Sequence, residues 1–142
     1  MHFKTSVGAF RHTDNGITLA VKSVLALKYG DIVIYDQTNC SATDGMPSVQ
    51  TTTSADSVNV AGVVCSPAGI AAGGVGEIVV LGFADVNVAS ATTNFAAGAA
   101  LTTSTTAGAA ADGTETLLCH FGKVHYSPNS TATQLLAWVN VL

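Results

Sequence analysis

The chain has 142 residues, the size of one domain, and a domain of this length buries roughly 68 to 70% of the surface that its unfolded form exposes. Only 10% of the residues are charged and the net charge is −4, which excludes the basic footprint of a nucleic-acid binder and leaves a surface built from hydroxyls and small apolar groups. Cys40, Cys65 and Cys119 are odd in number and widely spaced, with no C-x-x-C, so neither a disulfide framework nor a zinc knuckle is written here and a reduced cytosolic origin fits.

The charge is unevenly laid out. Lys4, Arg11, Lys22 and Lys28 fall in the first 28 residues against the single acid Asp14, while the remainder holds eight acids and only Lys123. A short basic front of about +3 on an acidic body points to an arm that docks on another surface. A surface this poor in charge also points to cover by other subunits, so a homo-oligomer is expected. The first residues lack the long apolar core of a signal peptide. Residues 57–76 are uncharged but are broken by Asn59, Ser66, Pro67 and several glycines, so no membrane span is expected.

Val, Ile and Thr together make 40 residues and 14 glycines punctuate short apolar runs, a composition that predicts an all-β chain. In residues 1–16, Phe3 and Val7 alternate with Lys4 and Ser6, and Asp14, Asn15 and Gly16 form a turn signature. We read this stretch as an extended N-terminal arm. Phe3, Lys4, Val7, Phe10 and Arg11 are its candidate anchors, since two phenylalanines are costly to leave in water. Residues 17–142 form the single domain that the arm precedes.

Residues 17–27 alternate, then shift phase at Val24 and Leu25, as a bulged strand or two successive strands would; no cap frames a competing helix. Gly30 and Asp31 turn the chain into a strand over 32–35. Residues 36–57 are polar and read as a long loop or a short edge hairpin inserted in the domain. The strand pattern resumes over 58–65, a Gly and Ala turn occupies 67–76, and 77–81 is an apolar strand that Gly82 and Asp85 separate from another over 86–89. Residues 90–113 read as connecting loops around a short strand near Leu101, followed by strands over 117–126 and 134–142.

The last strand is apolar on both faces: Leu135, Ala137, Val139 and Val141 on one, Leu136, Trp138 and Leu142 on the other. An antiparallel strand normally leaves one face wet, so the second face either joins the domain's own core or meets another subunit. Leu136, Trp138 and Leu142 are the candidate subunit interface, with Trp138 the residue best suited to an interface centre.

Candidate chemistry is sparse. Cys119, His120 and His125 are the one cluster of metal-ligand types, but adjacent strand residues point to opposite faces and at most two of the three share a side. There is no G-x-S-x-G elbow, no phosphate loop among the glycines of 69–76, and no paired carboxylates for acid and base work. No catalytic residue, metal or cofactor is expected.

Six motifs in order then carry a resemblance: KYGDIVIYD at 28–36, VAGVV at 60–64, GGVGEIVVLGFADVNVA at 73–89, FAAGAALTT at 95–103, FGKVHY at 121–126 and the terminal LLAWVNVL. Their order, more than any one of them, resembles the small head-decoration or capsid-cement proteins of tailed bacteriophages. The resemblance implies a compact β-barrel of the β-tulip type and a non-enzymatic virion protein, made in the host cytoplasm and placed on the capsid exterior. It also implies a homotrimer, or less often a dimer or monomer, that binds the major capsid protein, the arm lying against that protein or an adjacent subunit, with no nucleic acid and no membrane as partner. A reading of another class is a carbohydrate- or receptor-binding β-module of a virion fibre or cell surface, which needs exposed aromatic platforms.

Overall fold

A computed structural model of the chain describes residues 16–40, 45–89, 95–113, 120–126 and 133–142. The β-branched runs form nine strands among these residues and there is no helix: β1 Ile17–Lys22, β2 Ile32–Tyr35, β3 Val49–Gln50, β4 Val60–Val64, β5 Val75–Asn87, β6 Ala100–Thr103, β7 Ala110–Gly113, β8 Gly122–Tyr126 and β9 Gln134–Asn140. They make one antiparallel sheet in the order β3-β2-β4-β5-β9-β8-β6-β7, with β1 paired to β5 off that path.

β5 is the spine. Its first half pairs with β1 from Val75 to Leu81 and with β4 at Ile78 and Val79, and its second half pairs with β9 from Leu81 to Asn87. Leu81 has Ile17 and Asn140 as simultaneous partners, so β1 and β9 lie on opposite edges of β5. The pairing with β1 skips Val80, a bulge that reverses the phase of the strand. Val79 before the bulge and Ala84 and Val86 after it therefore face the same core.

Two apolar clusters result. The larger contains Ile32, Val63, Val79, Val86, Leu101, Phe121, Leu135, Ala137 and Val139; the smaller contains Val21, Leu27, Val33, Val49, Val64, Ile70, Ile78 and Val80. Ile32 and Val33 of β2, Val63 and Val64 of β4, and Ile78, Val79 and Val80 of β5 are divided alternately between them, so the sheet is buried on both faces at these positions. Each fully buried aliphatic side chain contributes about 1.5–3 kcal/mol. A parallel bridge between Val88 and Ala110 brings β7 back to the end of β5, and the Ala89 N–H donates to the Ala110 carbonyl at 3.1 Å. The path from β5 through β9, β8, β6 and β7 thus closes on itself around the larger cluster, a compact barrel-like all-β fold.

Two expectations are corrected. Gly82 and Asp85 do not break a strand: β5 runs 13 residues through both, with Gly82 buried and Asp85 on the outer face. Residues 110–113 are a strand, β7, paired with β6 from Ala100↔Gly113 to Thr103↔Ala110. Of the polar stretch 36–57, Val49–Gln50 is an edge strand on β2.

Candidate functional site

A local polar knot lies beside the candidate face. The turn before β2 has Gly30 at φ 84°, a conformation that glycine adopts without penalty. Beside it Asp31 is buried, and its carboxylate accepts from the Lys28 N–H at 2.7 Å and from Asn87 Nδ2 at 2.9 Å. Asn87 Nδ2 also donates to the Tyr29 carbonyl at 3.0 Å, and Asn87 Oδ1 accepts from Gln134 Nε2 at 2.8 Å. The KYGD turn is thereby tied to the ends of β5 and β9.

The outer face of β5, β9 and β8 lies next to this knot. Register places Phe83 opposite Trp138 and Trp138 opposite Lys123 in one row, and Asp85, Leu136 and Tyr126 in the next. The β8 pairing skips His125, a bulge that sends its imidazole across β9 to Phe83. Phe83 is met edge-on by both rings: His125 with centroids 4.9 Å apart at 66°, and Trp138 at 5.0 Å and 77°. Both geometries suit the aromatic quadrupole. Asp85 is held in place by the Tyr29 hydroxyl, which donates to its Oδ2 at 2.7 Å.

β9 distributes its side chains as its alternation demands. Leu135, Ala137 and Val139 are buried in the larger core, whereas Leu136 is half-buried and Trp138 is 40% exposed on the outer face. Trp138 is therefore a surface residue anchored by Phe83, not a residue of the domain's core. Leu142 is 78% exposed and lies at the end of the barrel, beside an open cleft of about 210 Å³ that it lines with Val58, His120, Phe121 and Asn140. Of the three candidate interface residues, Leu136 and Trp138 share the outer face of β9, whereas Leu142 lies beyond the strand, at the cleft on the barrel end.

Phe83, His125 and Tyr126 are members of this face that the strand alternation of the sequence did not single out. Only the register between strands distant in sequence brings them together. The arm residues Phe3, Lys4, Val7, Phe10 and Arg11 lie outside the described residues, as does Cys119. His120 and His125 sit at different places, the barrel end and the outer face. Among the described residues no three His, Cys, Asp or Glu side chains converge as a metal site. Cys65 is buried, and burial, with Glu77 nearby adding to it, pushes its thiol up to about 12.

No protein family and no curated protein matches the sequence. Solved structures do share the fold. The head fiber gp8.5 N base of bacteriophage phi29 superposes with a TM-score of 0.60 at 12% identity, over 88% of this chain and 94% of that one. A chain of the capsid of Myoviridae phage XM1 superposes with a TM-score of 0.51 at 18% identity, over 89% of this chain and 82% of that one. At these identities the likeness is one of fold.

Proposed function

We propose that the chain is a structural protein of a phage virion, a decoration or cement protein of β-tulip type bound to the outside of the head. The observation that carries the proposal is the outer face of β5, β9 and β8. It presents Trp138 and Tyr126 to solvent on a rigid wall, in a fold shared with a phage head fibre base and a phage capsid chain. No catalytic constellation competes with it among the described residues. Leu136, Trp138 and Leu142 serve as the contact between copies, in a homotrimer. Residues 1–16 serve as the tether to the major capsid protein through Phe3, Lys4, Val7, Phe10 and Arg11.

The mechanism is linkage. A ligand that binds only the expanded shell stabilises it by its own binding free energy, and many copies sum that effect. Apolar anchors supply affinity, and ordering of the arm opposes it at an entropic cost. The test is to mix the purified protein with undecorated expanded heads and image them. Full-length protein should decorate the lattice, and a form lacking residues 1–16 should stay folded yet leave the heads bare; normal occupancy by the truncated form would sink the proposal.

A second reading has one observation in its favour: Trp138 and Tyr126 are exposed on neighbouring rows of the face that also carries the Asp85 carboxylate, residue types that stack on and hydrogen-bond a sugar ring. Binding of the isolated protein to a glycan array, abolished by Trp138→Ala, would favour this carbohydrate-binding role over the capsid role.

A further inference from the structure

The outer face of β5, β9 and β8 is apolar in its middle and charged on its two flanks. Asp85 stands half-buried on β5 and Lys123 exposed on β8, while Trp138 and Leu136 occupy the β9 strand between them. Within one chain β9 keeps the two charges apart. Two strand spacings, roughly 10 Å, separate their backbones, and they sit in different rows, since Lys123 is level with Trp138 and Asp85 with Leu136. Among the described residues of this face these are the two formally charged side chains, one of each sign.

The carboxylate is set in place before any partner arrives. Tyr29, in the KYGD turn, donates its hydroxyl to Asp85 Oδ2 at 2.7 Å, and that turn is itself tied down by the hydrogen bonds of Asn87 to the Tyr29 carbonyl and to Asp31. A carboxylate accepts several hydrogen bonds at once, so this one can take a cation while it keeps the tyrosine. Lys123 has Ala100 of β6 on one side and Trp138 of β9 on the other. Both neighbouring strands fix its backbone, and its side chain reaches into solvent.

We infer that this face recognises a second copy of the chain through its flanks, the Lys123 ammonium of one copy pairing with the Asp85 carboxylate of the next; the inference rests on the contact between copies proposed above. Opposite charges on opposite flanks make the face complementary to itself only head to tail. Copies that turn it toward a common rotation axis bring the β5 flank of one beside the β8 flank of the next, a contact that closes into a ring. Trp138 and Leu136 then look toward the axis. Joining like flanks would set Asp85 against Asp85 or Lys123 against Lys123, so the charges choose the contact as much by what they repel as by what they attract. A lone exposed ion pair adds little affinity. Its use here is to fix which flanks meet, while the aromatic middle supplies the buried area.

Sedimentation of the full chain tests the pairing. Lys123→Glu leaves both flanks acidic and Asp85→Lys leaves both basic, so each variant alone should self-associate about ten-fold more weakly than the wild type, or worse. An equimolar mixture of the two should associate more tightly than either alone, because acidic flanks then meet basic ones. A loss in both variants that mixing fails to recover would overturn the pairing across copies. Unchanged association in both would overturn it too, and a loss in Trp138→Ala would then leave the contact between copies standing through its aromatic middle. A wild type that stays monomeric would sink that contact and the pairing together. Should Asp85→Lys not fold, Asp85→Asn keeps an acceptor for Tyr29; added to Lys123→Glu it removes the like-charge repulsion and should recover part of the loss, and no recovery would overturn the pairing.

Discussion

Phe83 and Trp138 stand directly opposite one another on β5 and β9, ring centroids 5.0 Å apart and nearly perpendicular. The indole is therefore held in one orientation on the protein surface by a neighbour on the barrel wall, and a surface aromatic that has already lost its rotamer freedom costs less to bury in a contact. A double-mutant cycle with Phe83→Ala and Trp138→Ala, measured by urea unfolding, should return a coupling of about 0.5–1.5 kcal/mol. Self-association, measured by sedimentation, should fall about ten-fold or more in Trp138→Ala, as expected for an interface anchor. A stability loss without any change in association would assign the pair to the fold alone.

Asp31 and Asn87 carry the polar knot that joins the KYGD turn to the barrel. Removing the carboxylate in Asp31→Ala leaves the Lys28 N–H and one hydrogen of Asn87 Nδ2 without their acceptor in a largely buried setting. We expect a loss of about 2–3 kcal/mol in unfolding free energy, from groups left unsatisfied on desolvation. Asp31→Asn, which keeps an acceptor oxygen, should lose less.

Gly62 and Gly45 should respond differently to the same substitution. A Cβ on Gly62 would lie 2.4 Å from the Val79 carbonyl oxygen, where the backbones of β4 and β5 meet, whereas a Cβ on Gly45 would meet nothing within 4 Å. Both have positive φ, 157° and 65°. Gly45→Ala should cost about 1 kcal/mol for backbone conformation alone. Gly62→Ala adds a steric clash and should cost about 3 kcal/mol or more. Equal midpoints in urea for the two variants would refute the close approach.

Cys65 makes stability fall in alkaline solution. Its thiol is raised from 9.0 to about 12 in the folded chain, mostly by burial, so the folded state holds its proton more tightly than the unfolded state. The contribution is fully present below pH 9 and is lost as the pH rises toward 12. Urea midpoints of the wild type should therefore drop between pH 9 and pH 11 more steeply than those of Cys65→Ala. At pH 8 a thiol reagent should modify the exposed Cys40 in native protein and reach Cys65 only after unfolding.

Much of the fold was legible because its signals are local. The apolar run at 32–35, bounded by Gly30-Asp31 and by Asp36, is β2 with the same limits. The alternation of β9 put Leu135, Ala137 and Val139 on one face and Leu136 and Trp138 on the other before any neighbour was known, and the fold decided that the first face is the inward one. Gly82 misled for a physical reason. A glycine followed three residues later by an aspartate marks a chain break when read locally, but here the glycine sits just beyond the bulge at Val80, inside a strand that keeps the larger core on one face and goes on to pair with β9. β7 was missed because Ala110 and Gly113 carry no β propensity of their own, and their strand exists through its pairing with β6 and the bridge to Val88.

What the sequence determined alone is the class of structure and the polarity of each strand face, since both follow from side-chain branching and a period of two. It also determined that Trp138 and Leu136 share a face. Only the tertiary structure decided that Phe83, His125 and Tyr126 join them, that β5 is buried on both sides at Ile78, Val79 and Val80, and that Leu142 belongs to the barrel end. Those facts depend on register between strands up to about sixty residues apart and on two bulges that each skip one residue. A one-residue change in pairing moves every side chain to the other face, and no local pattern encodes which pairing a distant strand will adopt.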